Sequence, residues 1–485
     1  MDRIKNFLLV NTNSKQTIAK NTIWLVVGEL VSRFLRFFVV VYAARVLGAE
    51  GWGVFSYALG IGGLLMIFSD FGLSAYITRE LTQGKENHQQ LVSTAFFIKI
   101  SVLTLSTIGV IIFGPLIATV KDAPPILYLI AFILFFDSLR EFGLAFNRAF
   151  EKMEWEAFAK IITSLVILIA GLILISHHPE PKSLAITYFL GSFVGCIILF
   201  IFIRKRILFE AKYFQWNLVG YISAVTFSFA FTSLIGSIMA NTDVYMLGLW
   251  RTPEEIGFYA AGQRLYQFIL VVPSIISMAI FPALARLGAD RDKFASLLQK
   301  AIVTAFIIGI PIAFGGIVFA KDIILLILGQ EYFPAIKIFQ IFNLMILVAF
   351  PSMILSNAIF ARNEQKVLVK ASGIGACINI VLNIFLIRMF GALGSAIATL
   401  ISLCFVTLLI GFRIKKVSGF TIGGTLKKPF LAGFLMFLVC LLGNALHVYF
   451  IYTVLFAAIF YFLTLLALRD STLYEIKGIF FAENK

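Results

Sequence analysis

Long apolar stretches recur along the whole chain, and short polar segments separate them. A helix of about 20 residues, at about 1.5 Å per residue, crosses the ~30 Å hydrocarbon core of a bilayer. The pattern therefore predicts an all-α polytopic membrane protein with about 14 transmembrane helices. The predicted spans are 21–47, 52–78, 91–118, 125–148, 157–177, 183–203, 217–249, 256–285, 297–320, 334–361, 367–388, 392–412, 429–447 and 449–468.

Lysine and arginine residues cluster on one side of these spans. Basic runs at 204–206 and 413–416 fall in segments that share a side with the amino terminus, whereas the opposite loops carry few cations. Cytoplasmic loops of membrane proteins are enriched in Lys and Arg. We therefore predict a protein of the plasma or inner membrane with both termini in the cytoplasm.

The composition excludes several classes of protein. Of 485 residues, 60% are hydrophobic and 13% charged, and the net charge of +15 is explained by the loops, so no nucleic-acid partner is expected. The four cysteines lie in apolar runs, and neither disulfides nor a metal site is predicted. The sequence contains no phosphate-binding loop, HExxH or nucleophile-elbow motif. We predict a chain that is not an enzyme and carries no cofactor.

Short similar segments recur at a nearly constant distance. Residues 150–154 resemble 360–364 at an offset of 210, and 50–55 resemble 254–259 at an offset of 204. These matches indicate an internal repeat, and the alternative is chance similarity among apolar segments. A true repeat would hold an even number of spans, so the two halves would share one topology about an axis along the membrane normal. Glu154 and Glu364 would then be equivalent.

The repeat predicts two six-helix lobes, at 21–203 and 217–412. The remaining segments would be a cytoplasmic tail at 1–20, a cytoplasmic linker at 204–216, and two additional helices with a tail at 413–485. Two such bundles have a natural cavity between them.

Charged residues interrupt the first apolar stretch. Glu29, Arg33 and Arg36 are spaced four and three residues apart, so a helix brings them to one face. A cation at the bilayer centre costs at least ~2.5 kcal/mol, and we expect this face to meet protein or a water-filled cavity. Glu29 alternatively neutralises Arg33 in a structural pair. One carboxylate does not neutralise two arginines, which favours a transporter with a charged cavity.

Asp70 is a second intramembrane charge, in the inner third of the second span. It is the predicted carrier of a coupling cation, H⁺ or Na⁺. The alternative is an electrostatic latch that pairs Asp70 with Arg79 or Lys99.

Two other groups are candidates for gating. Asp137, Arg140 and Glu141 in the fourth span are close enough to neutralise one another, which is the structural alternative. Asp243, near the outer end of the seventh span, is either a residue of the outer gate or an interfacial carboxylate.

Several segments resemble those of a known family. They are NTIW at 21–24, YAARVLGAEGWGVFSYA at 42–58, DFGL at 70–73, TREL at 78–81, GFYAAGQR at 257–264 and GALGSAIA at 391–398. With them, nearly the whole chain resembles the lipid-linked oligosaccharide flippases of the Wzx type, in the multidrug/oligosaccharidyl-lipid/polysaccharide exporter superfamily. The resemblance implies two V-shaped lobes that work by alternating access.

The resemblance also implies a substrate. This would be a polyprenyl-pyrophosphate-linked oligosaccharide, moved from the cytoplasmic to the outer leaflet for O-antigen, exopolysaccharide or related glycans. Membrane lipids, and the polymerase and glycosyltransferases of the same pathway, would be its partners. Arg33, Arg36 and Arg264 would face one cavity and contact the pyrophosphate, with Glu29 beside them. Lys99 would contact the same group or snorkel to the headgroups.

Three alternatives remain open. A flippase for the lipid-linked peptidoglycan precursor would share the fold and the anionic headgroup. A drug/cation antiporter of the same superfamily would need a mainly acidic cavity. A membrane glycosyltransferase or polymerase would need a large outer loop with catalytic carboxylates.

Overall fold

The computed structural model describes residues 14–66, 69–70, 72–82, 88–204, 209–287, 290–421 and 423–468. Side chains are described for these residues except at 14–15, 88, 227–234 and 423. Parts of the predicted tails and linker, at 1–13, 205–208 and 469–485, lie outside the described residues.

Regular structure within the described ranges is entirely helical, which confirms the all-α membrane class. Nine helical segments in these ranges are long and apolar enough to cross a membrane, judged by length and composition. The α-helices are α1 (Ser14–Leu65), α2 (Leu73–Thr82), α3 (His88–Ile117), α4 (Pro124–Ala149), α5 (Met153–His177), α6 (Pro181–Ile203), α7 (Trp216–Trp250), α8 (Pro253–Ile269), α9 (Val271–Arg286), α10 (Arg291–Val318), α11 (Ala320–Ile327), α12 (Ala335–Ala361), α13 (Gln365–Ser418), α14 (Lys427–Ala445) and α15 (Phe450–Ala467).

The two longest helices each contain a kink at a glycine. In α1 the backbone at Gly48 has φ 68° and ψ −179°, and in α13 Gly391 has φ 60° and ψ −138°. A residue without a Cβ adopts such angles without the steric penalty of other residues. Each kink falls between two predicted spans, so α1 and α13 each hold parts of two of them. The predicted number of spans is compatible with these helices.

The second predicted span, 52–78, is not one continuous helix. Helix α1 ends at Leu65 and α2 begins at Leu73, and Asp70 lies in the break. Ser and Asp side chains compete for backbone hydrogen bonds and disfavour helix interiors. At Gly72 the backbone has φ 73°, which lets the chain turn before α2 begins. The predicted span at 52–78 is therefore interrupted at Ser69 and Asp70.

Packing divides the described chain into two compact units, one ending at Ala260 and the other beginning at Ala261. In the first unit, α1 packs along α5, and α4 packs against α6. In the second, α10 packs against α12 and α12 against α13, while α14 and α15 share a core with α10. The lobes defined by the sequence repeat stay a prediction, because packing and repeat symmetry are different criteria.

Two short helix connections, α4–α5 and α12–α13, have the same backbone form. Glu151 in the first and Asn363 in the second have positive φ, at 53° and 57°. The amide of the next residue donates to the carbonyl oxygen five residues earlier, at 2.8 Å and 3.1 Å respectively. Glu151 therefore corresponds to Asn363 in the structure. This is an offset of 212 residues, whereas the sequence match has an offset of 210. Glu154 lies inside α5, whereas Glu364 precedes α13, so their predicted equivalence was wrong.

A reciprocal contact joins the segments that match at the offset of 204. A Cβ added to Gly53 would lie 1.8 Å from the carbonyl oxygen of Pro253. A Cβ added to Gly257 would lie 1.9 Å from the carbonyl oxygen of Ala49. Because Ala49 corresponds to Pro253 and Gly53 to Gly257, each segment makes the same contact with the other. This is the arrangement expected around a two-fold axis, and it supports the repeat at this offset.

We expect Gly53→Ala and Gly257→Ala each to lower the melting temperature of the detergent-purified chain by several degrees. The new methyl group meets backbone rather than a movable side chain, and overpacking of this kind costs about 1–3 kcal/mol. Gly109→Ala is the matched control, because a Cβ at Gly109 meets nothing within 4 Å. Equal melting of all three variants would show that the helices do not approach this closely.

Candidate functional site

The polar positions of the first predicted span lie in the seam between α1 and α5. The helices are close, since a Cβ added to Gly28 would lie 2.7 Å from the Cα of Ala157. Polar pairs then cross the seam at successive levels: Lys20–Glu154 at 3.0 Å, Glu29–Lys160 at 3.2 Å and Ser32–Ser164 at 2.7 Å. Lys20, predicted to belong to a cytoplasmic tail, is fully buried in α1 by the first of these pairs. This face of α1 therefore packs on protein.

Six charged side chains from α1, α4 and α5 form a continuous chain of ion pairs. Its links are Arg33–Glu29 at 2.5 Å, Glu29–Lys160 at 3.2 Å, Lys160–Glu156 at 3.1 Å, Glu156–Arg148 at 2.7 Å and Arg148–Glu141 at 3.9 Å. The chain holds three cations and three carboxylates, so its formal charge is zero. For Arg33, this geometry favours the structural pair with Glu29 that the sequence left open.

Arg36 lies one helical turn after Arg33 and has a different kind of partner. Its Nε donates to the hydroxyl oxygen of Ser164 at 3.2 Å, and Ser164 is itself bonded to Ser32. Among the described residues, no carboxylate lies within the 4 Å of an ion pair with Arg36. The side chain is partly exposed, and a guanidinium has five N–H donors in a planar fork. Arg36 is thus held in place by a neutral group and keeps its positive charge uncompensated.

Arg264, in the second unit, also has a neutral hydrogen-bond partner. It lies in α8 and is partly exposed, and its guanidinium donates to Oε1 of Gln267 at 3.2 Å. Within the described ranges, no carboxylate forms an ion pair with it. The neighbouring Tyr266 is stacked on Phe342, with ring centroids 5.4 Å apart, which fixes this turn of α8 against α12.

Asp70 and Lys99 meet at the break in the second span. The ammonium of Lys99 lies 2.6 Å from Oδ1 of Asp70, and Ser74 donates to the same oxygen at 2.7 Å. Lys99 is fully buried, so in this structure it reaches neither the headgroups nor a pyrophosphate, the two contacts predicted for it. Arg79 is exposed, and it makes no ion pair with Asp70 in the described part of the chain. Of the two predicted latch partners, the structure pairs Asp70 with Lys99.

The remaining gating candidates are also bonded. Arg140 is nearly buried and contacts Asp137 at 2.9 Å and the hydroxyl of Thr163 at 3.1 Å, while Glu141 turns to Arg148 instead. Asp243, in α7, is buried and accepts a hydrogen bond from the hydroxyl of Tyr259 at 2.6 Å. The sequence spacing predicted the pair of Asp137 with Arg140. It missed Thr163 and Tyr259, because a single sequence does not reveal which helix faces which.

Comparison with known families identifies two matches. The family described as "Polysaccharide biosynthesis protein" matches residues 18–288, and the MatE family matches residues 229–385.

Individual proteins extend the likeness over most of the chain. A relative from Haloferax volcanii, named "Probable low-salt glycan biosynthesis flippase Agl15", is 22% identical over 86% of this chain and 90% of its own length. A "Putative O-antigen transporter" from Shigella flexneri is 21% identical over 79% of this chain and 94% of its own. A solved structure titled "Lipid II flippase MurJ, inward closed conformation" superposes with a TM-score of 0.76 at 19% identity, covering 93% of this chain and 98% of that one. The last comparison shows a shared fold.

Proposed function

The chain belongs to the polysaccharide biosynthesis protein family, and from this membership we propose that it flips a lipid-pyrophosphate-linked oligosaccharide between bilayer leaflets. The glycan would move by alternating access from the cytoplasmic to the outer leaflet and serve cell-surface polysaccharide assembly. The names of the relatives, a glycan flippase and an O-antigen transporter, support this substrate class.

Arg36 is the observation that carries the proposal. An arginine fork matches two phosphate oxygens and keeps its charge at every physiological pH. Because no described carboxylate pairs with Arg36, its terminal N–H groups are available to an anionic headgroup. We propose Arg36 as the contact to the pyrophosphate and Arg264 as the second. Arg33 would act indirectly, by completing the neutral chain of ion pairs beside Arg36.

The electrostatics disfavour a drug/cation antiporter, although the MatE family also matches part of the chain. A cationic substrate needs a carboxylate that is free of a cation. Four intramembrane carboxylates are instead paired with cations: Glu29, Asp70, Asp137 and Glu156. Arg36, in contrast, has no carboxylate partner among the described residues.

Further parts of the proposal follow from the sequence. The protein is a multi-pass membrane protein. We propose that it lies in the plasma or inner membrane with both termini in the cytoplasm, and that it catalyses no reaction. We also propose an H⁺ or Na⁺ gradient as a driving force, and the polymerase and glycosyltransferases of the pathway as partners.

Deletion of the gene in its host tests the function. We expect the surface glycan to be lost and the corresponding lipid-linked oligosaccharide to accumulate with its glycan facing the cytoplasm. Plasmid-borne wild type and the Gly109→Ala variant should both restore the glycan. Accumulation of the peptidoglycan precursor with a normal surface glycan would instead identify the precursor flippase. Normal levels of both would refute a role in lipid-linked glycan transport.

A further inference from the structure

The break in the second span leaves a backbone carbonyl without its helical donor. In a continuous helix the carbonyl oxygen of Ser69 would accept from the amide of Leu73. That amide donates to the carbonyl oxygen of Asp70 instead, at 2.8 Å. A buried carbonyl without a partner is costly, so another donor has to replace the missing amide.

The ammonium of Lys99 supplies this donor and two further bonds. It lies 3.0 Å from the carbonyl oxygen of Ser69, 2.6 Å from Oδ1 of Asp70 and 2.9 Å from the hydroxyl oxygen of Ser138. An ammonium has three N–H groups, and here each has an acceptor. The acceptors come from the break itself and from α4, whereas Lys99 belongs to α3. A single positive charge thus joins three segments of the first unit.

The acceptor set has the chemistry of a site for a monovalent cation. It consists of one carboxylate oxygen, one hydroxyl oxygen and one carbonyl oxygen from unwound backbone, all around one positive charge. Unwound backbone carbonyls at broken membrane helices coordinate cations in transporters. A simple ion pair would need only Asp70. The added bonds to a main-chain carbonyl and a hydroxyl show that the ammonium also replaces the hydrogen-bond donor that the break removes.

We propose that the break at Ser69 and Asp70 is a monovalent-cation site, and that the ammonium of Lys99 occupies it. The ammonium of Lys99 takes the place of a free Na⁺ or K⁺, and it is bound permanently because it is tethered to α3. Asp70 is then the carboxylate of this internal cation rather than the carrier of a coupling ion. A coupling cation, if the proposed transport uses one, acts at another position.

Removal of the tethered ammonium should convert the break into a site for a free cation. Lys99→Ala removes the charge and leaves space beside the three oxygens. We expect this purified full-length variant to melt several degrees higher in NaCl or KCl than in choline chloride at equal ionic strength. Wild type should melt at one temperature in all three salts. The measurement needs no substrate, so its failure would leave the proposed transport function untouched.

The double variant Asp70→Asn/Lys99→Ala is the matched control, because it retains no charge to neutralise. It should show no difference among the salts. If Lys99→Ala is too unstable to purify in choline, its recovery as folded protein only in NaCl or KCl supports the proposal equally. The proposal is overturned by equal melting of Lys99→Ala in all three salts. It is also overturned by equal salt dependence of the double variant, or by loss of Lys99→Ala in every salt while the double variant survives.

Discussion

Charge reversal at Arg36, in the Arg36→Glu variant, is expected to abolish glycan export while the protein stays in the membrane at its normal level. The reversed side chain would repel the pyrophosphate that the guanidinium is proposed to bind. A hydrogen bond to a charged group contributes about 1.5–3 kcal/mol, so even a neutral variant should lose at least about 10-fold in transport rate. The measurement is surface glycan in the complemented deletion strain, with membrane protein quantified in parallel.

Two variants make this prediction specific. Arg36→Lys keeps the charge but loses the fork, and we expect a partial loss. Arg33→Gln removes a neighbouring cation on the same helix that Glu29 already neutralises, and the loss should be much smaller than at Arg36. Equal losses at Arg33 and Arg36 would contradict the distinction between a paired and an uncompensated arginine. Normal export from both Arg36→Glu and Arg264→Glu would refute the phosphate contacts.

Replacement of Glu156 is expected to have the largest effect on folding. Its side chain is 1% exposed, it is held by Arg148 through two bonds of 2.7 and 2.9 Å, and it also contacts Lys160. Removal of one partner from a fully buried pair costs about 3–5 kcal/mol, which is an upper bound here because Glu156 is buried but the side chain of Arg148 is 40% exposed. We therefore expect Glu156→Gln to lose most folded protein from the membrane, measured by fluorescence-detected size-exclusion chromatography.

Glu141→Gln is the matched control for Glu156. Glu141 approaches the same Arg148, but at 3.9 Å and with half of its side chain exposed. Exposed pairs contribute about 0–1 kcal/mol, so this variant should remain folded. If the two glutamine variants were recovered in equal amounts, the buried carboxylate of Glu156 would have no structural role in the chain of ion pairs.

The sequence predicted the helical class and the positions of the intramembrane charges, because both depend on the local composition of each stretch. It did not predict the partners across the α1–α5 seam. Lys20 and Glu154 are 134 residues apart, and no periodicity within either helix encodes the register between them. For Glu29 and Arg33 the spacing of four residues was enough to predict the ion pair, since both lie on one helix.

The break at Asp70 illustrates a second limit. Ser69 and Asp70 are polar within a long apolar run, and that run alone favours a continuous helix. The break forms where Lys99 on α3 and Ser138 on α4 provide alternative bonds, so it is a tertiary feature. The sequence offered Lys99 and Arg79 as equal partners for Asp70. Only the packing of α3 beside the break distinguishes them.

Transport in proteoliposomes tests the proposed function most directly. The purified chain would be reconstituted with a polyprenyl-pyrophosphate-linked oligosaccharide that carries a fluorophore on its glycan, and a membrane-impermeant reductant would bleach the outward-facing label. We predict that wild type lets the bleaching proceed beyond the fraction initially outside, whereas Arg36→Glu vesicles behave like protein-free vesicles. Bleaching by wild type that stops at the protein-free level, or equal bleaching by wild type and Arg36→Glu, would contradict the proposal.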